Sequence, residues 1–144
     1  MICMMLCAAI VNANYLNRIE HRVSVCNEIV SSAIEHDVDP LLAIAVSEVE
    51  SGLQRGLVSK VGAEGPMQVM RRFWCKSEPC NLIDAGVSAL KYYGERYGRS
   101  ESLCRYSSGR SCKSSAAARR YMKKVKSLLD RVIVSQKEVC VDGC

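Results

Sequence analysis

The chain has few aromatic residues and no long hydrophobic run. Aromatic residues make up 6% of its 144 residues, with one tryptophan and one phenylalanine, which argues against a base-stacking surface for nucleic acid. Its longest apolar run, residues 2–11, is too short to cross a bilayer. A formal charge of +5 favours an anionic partner but falls well short of a nucleic-acid-binding composition. We therefore expect neither a membrane span nor a nucleic-acid partner.

Cysteine, in contrast, is abundant. The chain has nine cysteines, a high number for a protein of a reducing cytosol. No CxxC pair occurs, and His21 and His36 lie far from any cysteine cluster, so the spacing predicts no metal site, and we expect no cofactor. The close pairs 75/80, 104/112 and 140/144 are typical of small disulfide-closed loops, with the connectivity left open.

The first 13 residues differ in character from the rest of the chain. They are apolar, uncharged and end in small residues, and so resemble the hydrophobic region and cleavage site of a signal peptide. The alternative is an ordinary buried N-terminal helix or strand. Removal of residues 1–13 would leave seven cysteines, an odd number, and Cys26 is our candidate for the unpaired thiol. We expect a periplasmic or secreted protein with one domain over residues 22–136 and a cysteine-containing tail over 137–144.

Apolar residues recur with helical spacing along most of the chain. One stripe runs from Cys26 to Ile34, and a second helix begins at Asp39 and Pro40 and ends at Gly52. Further elements are predicted as a helical turn over 67–73, a helix over 81–97, a short helix and loop over 99–109, and a helix over 115–136. The basic residues of the last helix lie mostly opposite its apolar face. With no alternating strand pattern, the fold class is mainly α, a single globular helical domain with little or no sheet.

Glu50 is the clearest candidate for a catalytic residue. It lies one turn after Val46 and therefore close to the buried face of its helix. Poor solvation and the negative end of the helix dipole both raise the pKa of such a carboxyl, which favours a proton donor near neutral pH. The alternative is a solvated carboxylate at a helix end. Glu48 lies on the opposite helix face, so a carboxylate dyad with Glu50 is not expected.

The sequence after Glu50 resembles the soluble lytic transglycosylase (SLT) family, which is related in fold to goose-type lysozyme. The resemblance covers about residues 24–130 and is most specific in its first block. The shared residues of that block are Glu50-Ser51-Gly52, Ser59, Gly62-Ala63, Gly65, Met67 and Gln68. Residues 106–109 correspond to the Tyr-Asn-x-Gly motif of the family, with Ser107 where the family has asparagine, and Tyr121 corresponds to its late tyrosine.

This resemblance implies a lysozyme-like fold and cleavage of peptidoglycan glycan strands by Glu50, acting first as general acid and then as base to form a 1,6-anhydro product. It implies that Tyr121 orients Glu50. It further implies that a set of residues contacts the glycan, namely Ser59, Gly65, Met67, Gln68, Tyr106 and Ser107. The alternatives are a muramidase that admits water at the same bond and a catalytically silent wall-binding scaffold. We expect a monomer, with an envelope-spanning secretion, conjugation or phage entry assembly as a candidate partner.

Overall fold

The computed structural model describes residues 16–141, with side chains from 19 to 133. The predictions for residues 1–13 and for the 140/144 cysteine pair fall outside the described residues. Within this range the chain forms helices and no strand longer than an isolated bridge, which confirms the mainly α fold class. The helices are α1 Leu16–Glu35, α2 Pro40–Ser51, α3 Arg71–Trp74, α4 Leu82–Tyr97, α5 Arg99–Ser108 and α6 Ala116–Val141. None of these helices is both long and apolar enough to cross a membrane.

The ends of α2 form as predicted. The carboxylate of Asp39 accepts a hydrogen bond from the backbone N–H of Leu41 at 3.0 Å, and Pro40 occupies the first helical position. Gly52 ends the helix in the left-handed conformation, with φ of 62°, which glycine adopts without a steric penalty. These local signals place Glu50 in the last turn of the helix.

The later helices also begin and end close to their predicted bounds. The side chain of Asn81 accepts hydrogen bonds from the N–H groups of Ile83 and Asp84 at 3.0 and 3.2 Å and caps α4. Gly98 follows α4, and Gly109, at φ of 69°, ends α5. The last helix α6 begins one residue later than predicted and continues to Val141, five residues past its predicted end and into the predicted tail.

The central helix of the fold is α2. Its residues Ala43 to Val46 have no exposed surface, as expected of a helix that is apolar on all sides. It packs between α1 and α6, while α4 packs against α1, α3 and α5. In the predicted stripe of α1, Ile34 is 65% exposed. It lies about 80° around the helix from Cys26, at the edge of the buried face, so its assignment to the core is wrong.

The stretch predicted as a helical turn over 67–73 is only partly helical, because α3 begins at Arg71. Before it, Glu64 and Val69 exchange two backbone hydrogen bonds of 2.9 and 3.0 Å. Gln68 adopts a positive φ of 49°. This pairing keeps residues 64–69 in a tight hairpin-like turn and delays the start of the helix.

The structure joins Cys75 to Cys80 and Cys104 to Cys112, as their close spacing predicts. Cys26 is also disulfide-bonded, so its assignment as the unpaired thiol is wrong. Its side chain is fully buried, and burial of this kind is shared by free and bridged cysteines. A helical position therefore gives no evidence for a free thiol.

Candidate active site

Glu50 lies in the last turn of α2, and its side chain is partly buried. Burial raises the pKa of its carboxyl from the usual 4.5 to about 7, since low-polarity surroundings disfavour the charged form. The one opposing influence is the hydroxyl of Tyr121, which lowers the pKa. The direction of the predicted shift in pKa and one of its two predicted causes, poor solvation, agree with this result, while the predicted contribution of the helix dipole stays a prediction.

Two tyrosines face this carboxyl. Tyr121, from α6, has its hydroxyl buried next to Glu50 but without a partner at full hydrogen-bond geometry. Tyr106, from α5, is partly buried, and burial together with the Glu50 charge raises the pKa of its phenol well above the usual 10. Both phenols therefore stay protonated at neutral pH and can act as hydrogen-bond donors.

No second carboxylate contributes to the pKa of Glu50. Glu48 is held away by Arg22, whose Nη2 lies 2.6 and 2.8 Å from its two carboxylate oxygens. Glu64 is paired with Arg71 at 2.9 Å. Among the described side chains, the site is therefore built around a single carboxyl group.

Two serines of α2 fix the loop that follows Glu50. The hydroxyls of Ser47 and Ser51 both donate to the carbonyl of Pro66, at 2.9 and 2.7 Å. The Ser51 oxygen also accepts a hydrogen bond from the N–H of Gln54 at 3.1 Å. Both hydroxyls are buried, and so the loop is tied to the same helix end that carries Glu50.

Met67 is fully buried, so the glycan contact predicted for its side chain does not fit this structure. Its carbonyl instead accepts a hydrogen bond from the hydroxyl of Tyr106 at 2.7 Å. The side chain packs against Gly86 of α4, where an added Cβ would lie 2.5 Å from the Met67 Cβ. The absence of a side chain at Gly86 is therefore what admits Met67, a role that sequence analysis missed.

Gly65 and Gln68 also shape this loop. Gly65 is buried with φ of 76°, and a Cβ there would come within 2.9 Å of the Leu82 side chain. The side-chain amide of Gln68 donates to the carbonyls of Leu57 and Gly65, both at 3.0 Å. Gln68 remains partly exposed, so its outer surface is accessible from the solvent.

Three predicted glycan contacts remain. Tyr106 has its hydroxyl bonded to the Met67 carbonyl, and its contact with the glycan stays a prediction. The other two are partly exposed serines. The hydroxyl of Ser59 accepts a hydrogen bond from the N–H of Ala63 at 3.0 Å. The hydroxyl of Ser107 donates to the carbonyl of Cys104 at 3.0 Å, on its own helix. The structure thus brings Glu50, Tyr106 and Tyr121 together, while the two serines contact nearby backbone.

The protein is thus a helical domain with one carboxyl of raised pKa beside two tyrosines. Such a site is suited to general acid–base catalysis by a single carboxyl group. The model of the transglycosylase SLT domain family matches residues 29–129, and the chain belongs to this family. The match confirms the resemblance to this family and supports, in general, a peptidoglycan-cleaving function of the lytic transglycosylase type. Comparison with curated proteins finds no matching sequence.

Proposed function

We propose that the protein is a lytic transglycosylase that cleaves the β-1,4 bond between N-acetylmuramic acid and N-acetylglucosamine, with Glu50 as its acid and base. The observation that supports this most directly is the pKa of about 7 at Glu50. At neutral pH such a group exists in both protonation states in comparable amounts. It is therefore suited both to donating a proton and to accepting one.

In the first step Glu50 donates its proton to the bridging oxygen, and the bond from that oxygen to the muramoyl C1 breaks. The positive charge that develops at C1 is stabilised by the substrate's own acetamido group, which explains why one carboxyl suffices. In the second step the Glu50 carboxylate accepts the proton of the muramoyl C6 hydroxyl as its oxygen bonds to C1. The 1,6-anhydro ring closes and Glu50 is again protonated.

The neighbouring residues support this cycle in different ways. Tyr121 orients the carboxyl and stabilises its charged form after the first proton transfer. Tyr106 fixes the loop through Met67 and keeps water away from the carboxyl. Ser59, Gln68 and Ser107 are proposed glycan contacts because each retains exposed surface. Gly65 contributes its backbone shape, and its predicted contact with the glycan stays a prediction.

The test is digestion of purified sacculi by wild-type protein and by Glu50→Gln, followed by mass spectrometry of the released fragments. We expect anhydro-muramoyl ends from the wild type and none from the variant, because glutamine has the shape of glutamate but no titratable proton. Muramoyl ends that have gained one water would identify a muramidase instead. No cleavage by either protein would favour a silent scaffold, and equal cleavage by both would remove Glu50 from the mechanism.

The disulfides Cys75–Cys80 and Cys104–Cys112 favour an oxidising compartment. Peptidoglycan lies in such a compartment. We therefore infer that the protein acts in the periplasm or outside the cell, where its substrate is found.

A further inference from the structure

The segment between α5 and α6, residues 109–115, is placed without help from the hydrophobic core. None of these seven residues belongs to the core, and all of them are exposed or partly exposed. We call the segment the α5–α6 loop. It joins the two helices that carry Tyr106 and Tyr121. Since apolar burial does not fix the loop, its position depends on covalent and polar contacts.

Cys112 is the centre of these contacts. Its sulfur is bonded to Cys104 of α5, which is fully buried, and lies 3.6 Å from the carbonyl oxygen of Ser100. Its backbone N–H donates to the Glu101 carboxylate, at 3.1 and 3.3 Å from the two oxygens. Its carbonyl accepts a hydrogen bond of 2.6 Å from Arg119 of α6. Cys112 therefore connects α5 directly to α6.

The disulfide is the strongest of these links. The hydrogen bond from Arg119 is exposed and those to Glu101 are only partly buried, so water competes with each of them. The S–S bond is covalent and joins residues eight positions apart, which restricts the conformations of the loop. Without the disulfide, only contacts that water can replace would hold the loop.

The opposite side of α5 faces the candidate active site. Tyr106 follows Cys104 by two residues and so lies about 200° around the helix from it. The Tyr106 hydroxyl donates to the Met67 carbonyl at 2.7 Å, and the charge of Glu50 acts on its phenol. This helix of 10 residues is therefore held by the disulfide on one side and by the loop after α2 on the other.

The first part of α6 has the same arrangement. Arg119 donates to the carbonyls of Cys112 and Lys113, at 2.6 and 3.2 Å. Tyr121, two residues later and again about 200° around the helix, has its hydroxyl next to Glu50. Each helix thus contacts Cys112 on one side and presents a tyrosine to Glu50 on the other.

We propose that the Cys104–Cys112 disulfide positions Tyr106 and Tyr121 beside Glu50, and that its reduction lowers the activity of the site. This inference rests on the proposed function, because the effect on activity is slower cleavage of the glycan. When a dithiol reduces the bond, it supplies two electrons and two protons, both cysteines become thiols, and the dithiol closes to a disulfide. The protein is therefore fully active only where its cysteines are oxidised.

The first test uses Cys112→Ser, which removes the cross-link and keeps the buried sulfur of Cys104. The measurement is a carbon-13 NMR titration of the Glu50 carboxyl, whose pKa is about 7 in the wild type. The titratable groups that face it, Tyr106 and Tyr121, stay protonated in this range. If the two helices lose their position, water reaches the carboxyl and its pKa falls towards 4.5. An unchanged pKa in the folded variant would overturn the proposal.

The matched control is Cys75→Ser with Cys80→Ser, which removes the disulfide between α3 and α4. This cross-link carries neither of the two tyrosines, so the Glu50 titration of the double variant should match that of the wild type. An equal fall of the pKa in both proteins would indicate a general loss of stability and would also overturn the proposal.

Arg119→Gln tests the link to α6 without changing any cysteine, and it decides the question if Cys112→Ser does not fold. The variant loses the hydrogen bonds from α6 to the α5–α6 loop. We expect the pKa of Glu50 to fall, by less than in Cys112→Ser. Arg120→Gln, at the neighbouring exposed position, should leave it unchanged. Identical titrations of these two arginine variants would overturn the proposal for Tyr121.

The last test measures kcat and KM on peptidoglycan strands before and after incubation with dithiothreitol. We expect kcat to fall several-fold in the wild type and in the Cys75→Ser, Cys80→Ser protein with KM nearly unchanged, because positioning rather than glycan binding is lost. Cys112→Ser should have a low kcat that dithiothreitol hardly changes; an equal loss there would assign the effect to another disulfide and overturn the proposal. If the wild type cleaves nothing, the proposed function fails, and the NMR titration still decides the positioning role.

Discussion

Replacing Glu50 by glutamine should change the stability of the protein in a way that depends on pH. In the unfolded chain the carboxyl has its usual pKa near 4.5, and in the folded protein burial raises it to about 7. Between these values the folded state binds more protons than the unfolded state, so the free energy of unfolding falls as pH rises. The stabilisation that protonated Glu50 contributes is fully present below pH 4.5 and is lost as the pH rises through about 7. The difference between the two pKa values corresponds to about 3 kcal/mol.

Urea unfolding of the wild type and of Glu50→Gln at pH 5 and pH 8 measures this directly. The stability of the variant relative to the wild type should increase by about 2–3 kcal/mol between the two values. Other titrating groups are present in both proteins and cancel in this comparison. Glu35→Gln, which removes an exposed carboxyl at the end of α1, is the control and should show almost no such change. A constant difference for Glu50→Gln would refute the argument that burial governs this group.

Two further predictions concern the surroundings of Glu50. The Tyr121 hydroxyl lowers the pKa of Glu50, so Tyr121→Phe should raise it. The protonated form of Glu50 controls the alkaline limb of the pH profile of kcat/KM, and this limb should therefore move to higher pH. An unchanged profile would contradict the contact between Tyr121 and Glu50. Gly86→Ala would place a Cβ 2.5 Å from Met67, so urea unfolding should show a loss of about 1–3 kcal/mol. Gly94→Ala, with no atom within 4 Å, should instead stabilise by about 0.5–1 kcal/mol, and similar effects at both positions would refute this packing.

The parts of the fold that the sequence predicts well are those determined by near neighbours. Asp39 and Asn81 cap their helices by bonding to backbone two or three residues away, and such contacts are visible in the order of residues. The disulfides Cys75–Cys80 and Cys104–Cys112 likewise join residues that are only five and eight positions apart. The raised pKa of Glu50 was predictable for a related reason, because its position relative to the apolar stripe is set by helix geometry.

The errors have two sources. The late start of α3 follows from a local backbone pairing of Glu64 with Val69, which no pattern of residue types indicates. The other source is contact between residues that are distant in the sequence. The burial of Met67 requires a glycine at position 86, which lies on a different helix.

The family motif after Glu50 builds the loop that follows α2. Ser51 and Gln68 each use their side chains to satisfy backbone groups of the loop. Met67 offers its carbonyl to Tyr106, and Gly65 supplies a left-handed turn against Leu82. Buried polar groups of this kind are costly when a partner is removed. The motif therefore encodes the construction of a loop that is tied to the helix end carrying Glu50, and we expect substitutions within it to alter the pKa of Glu50.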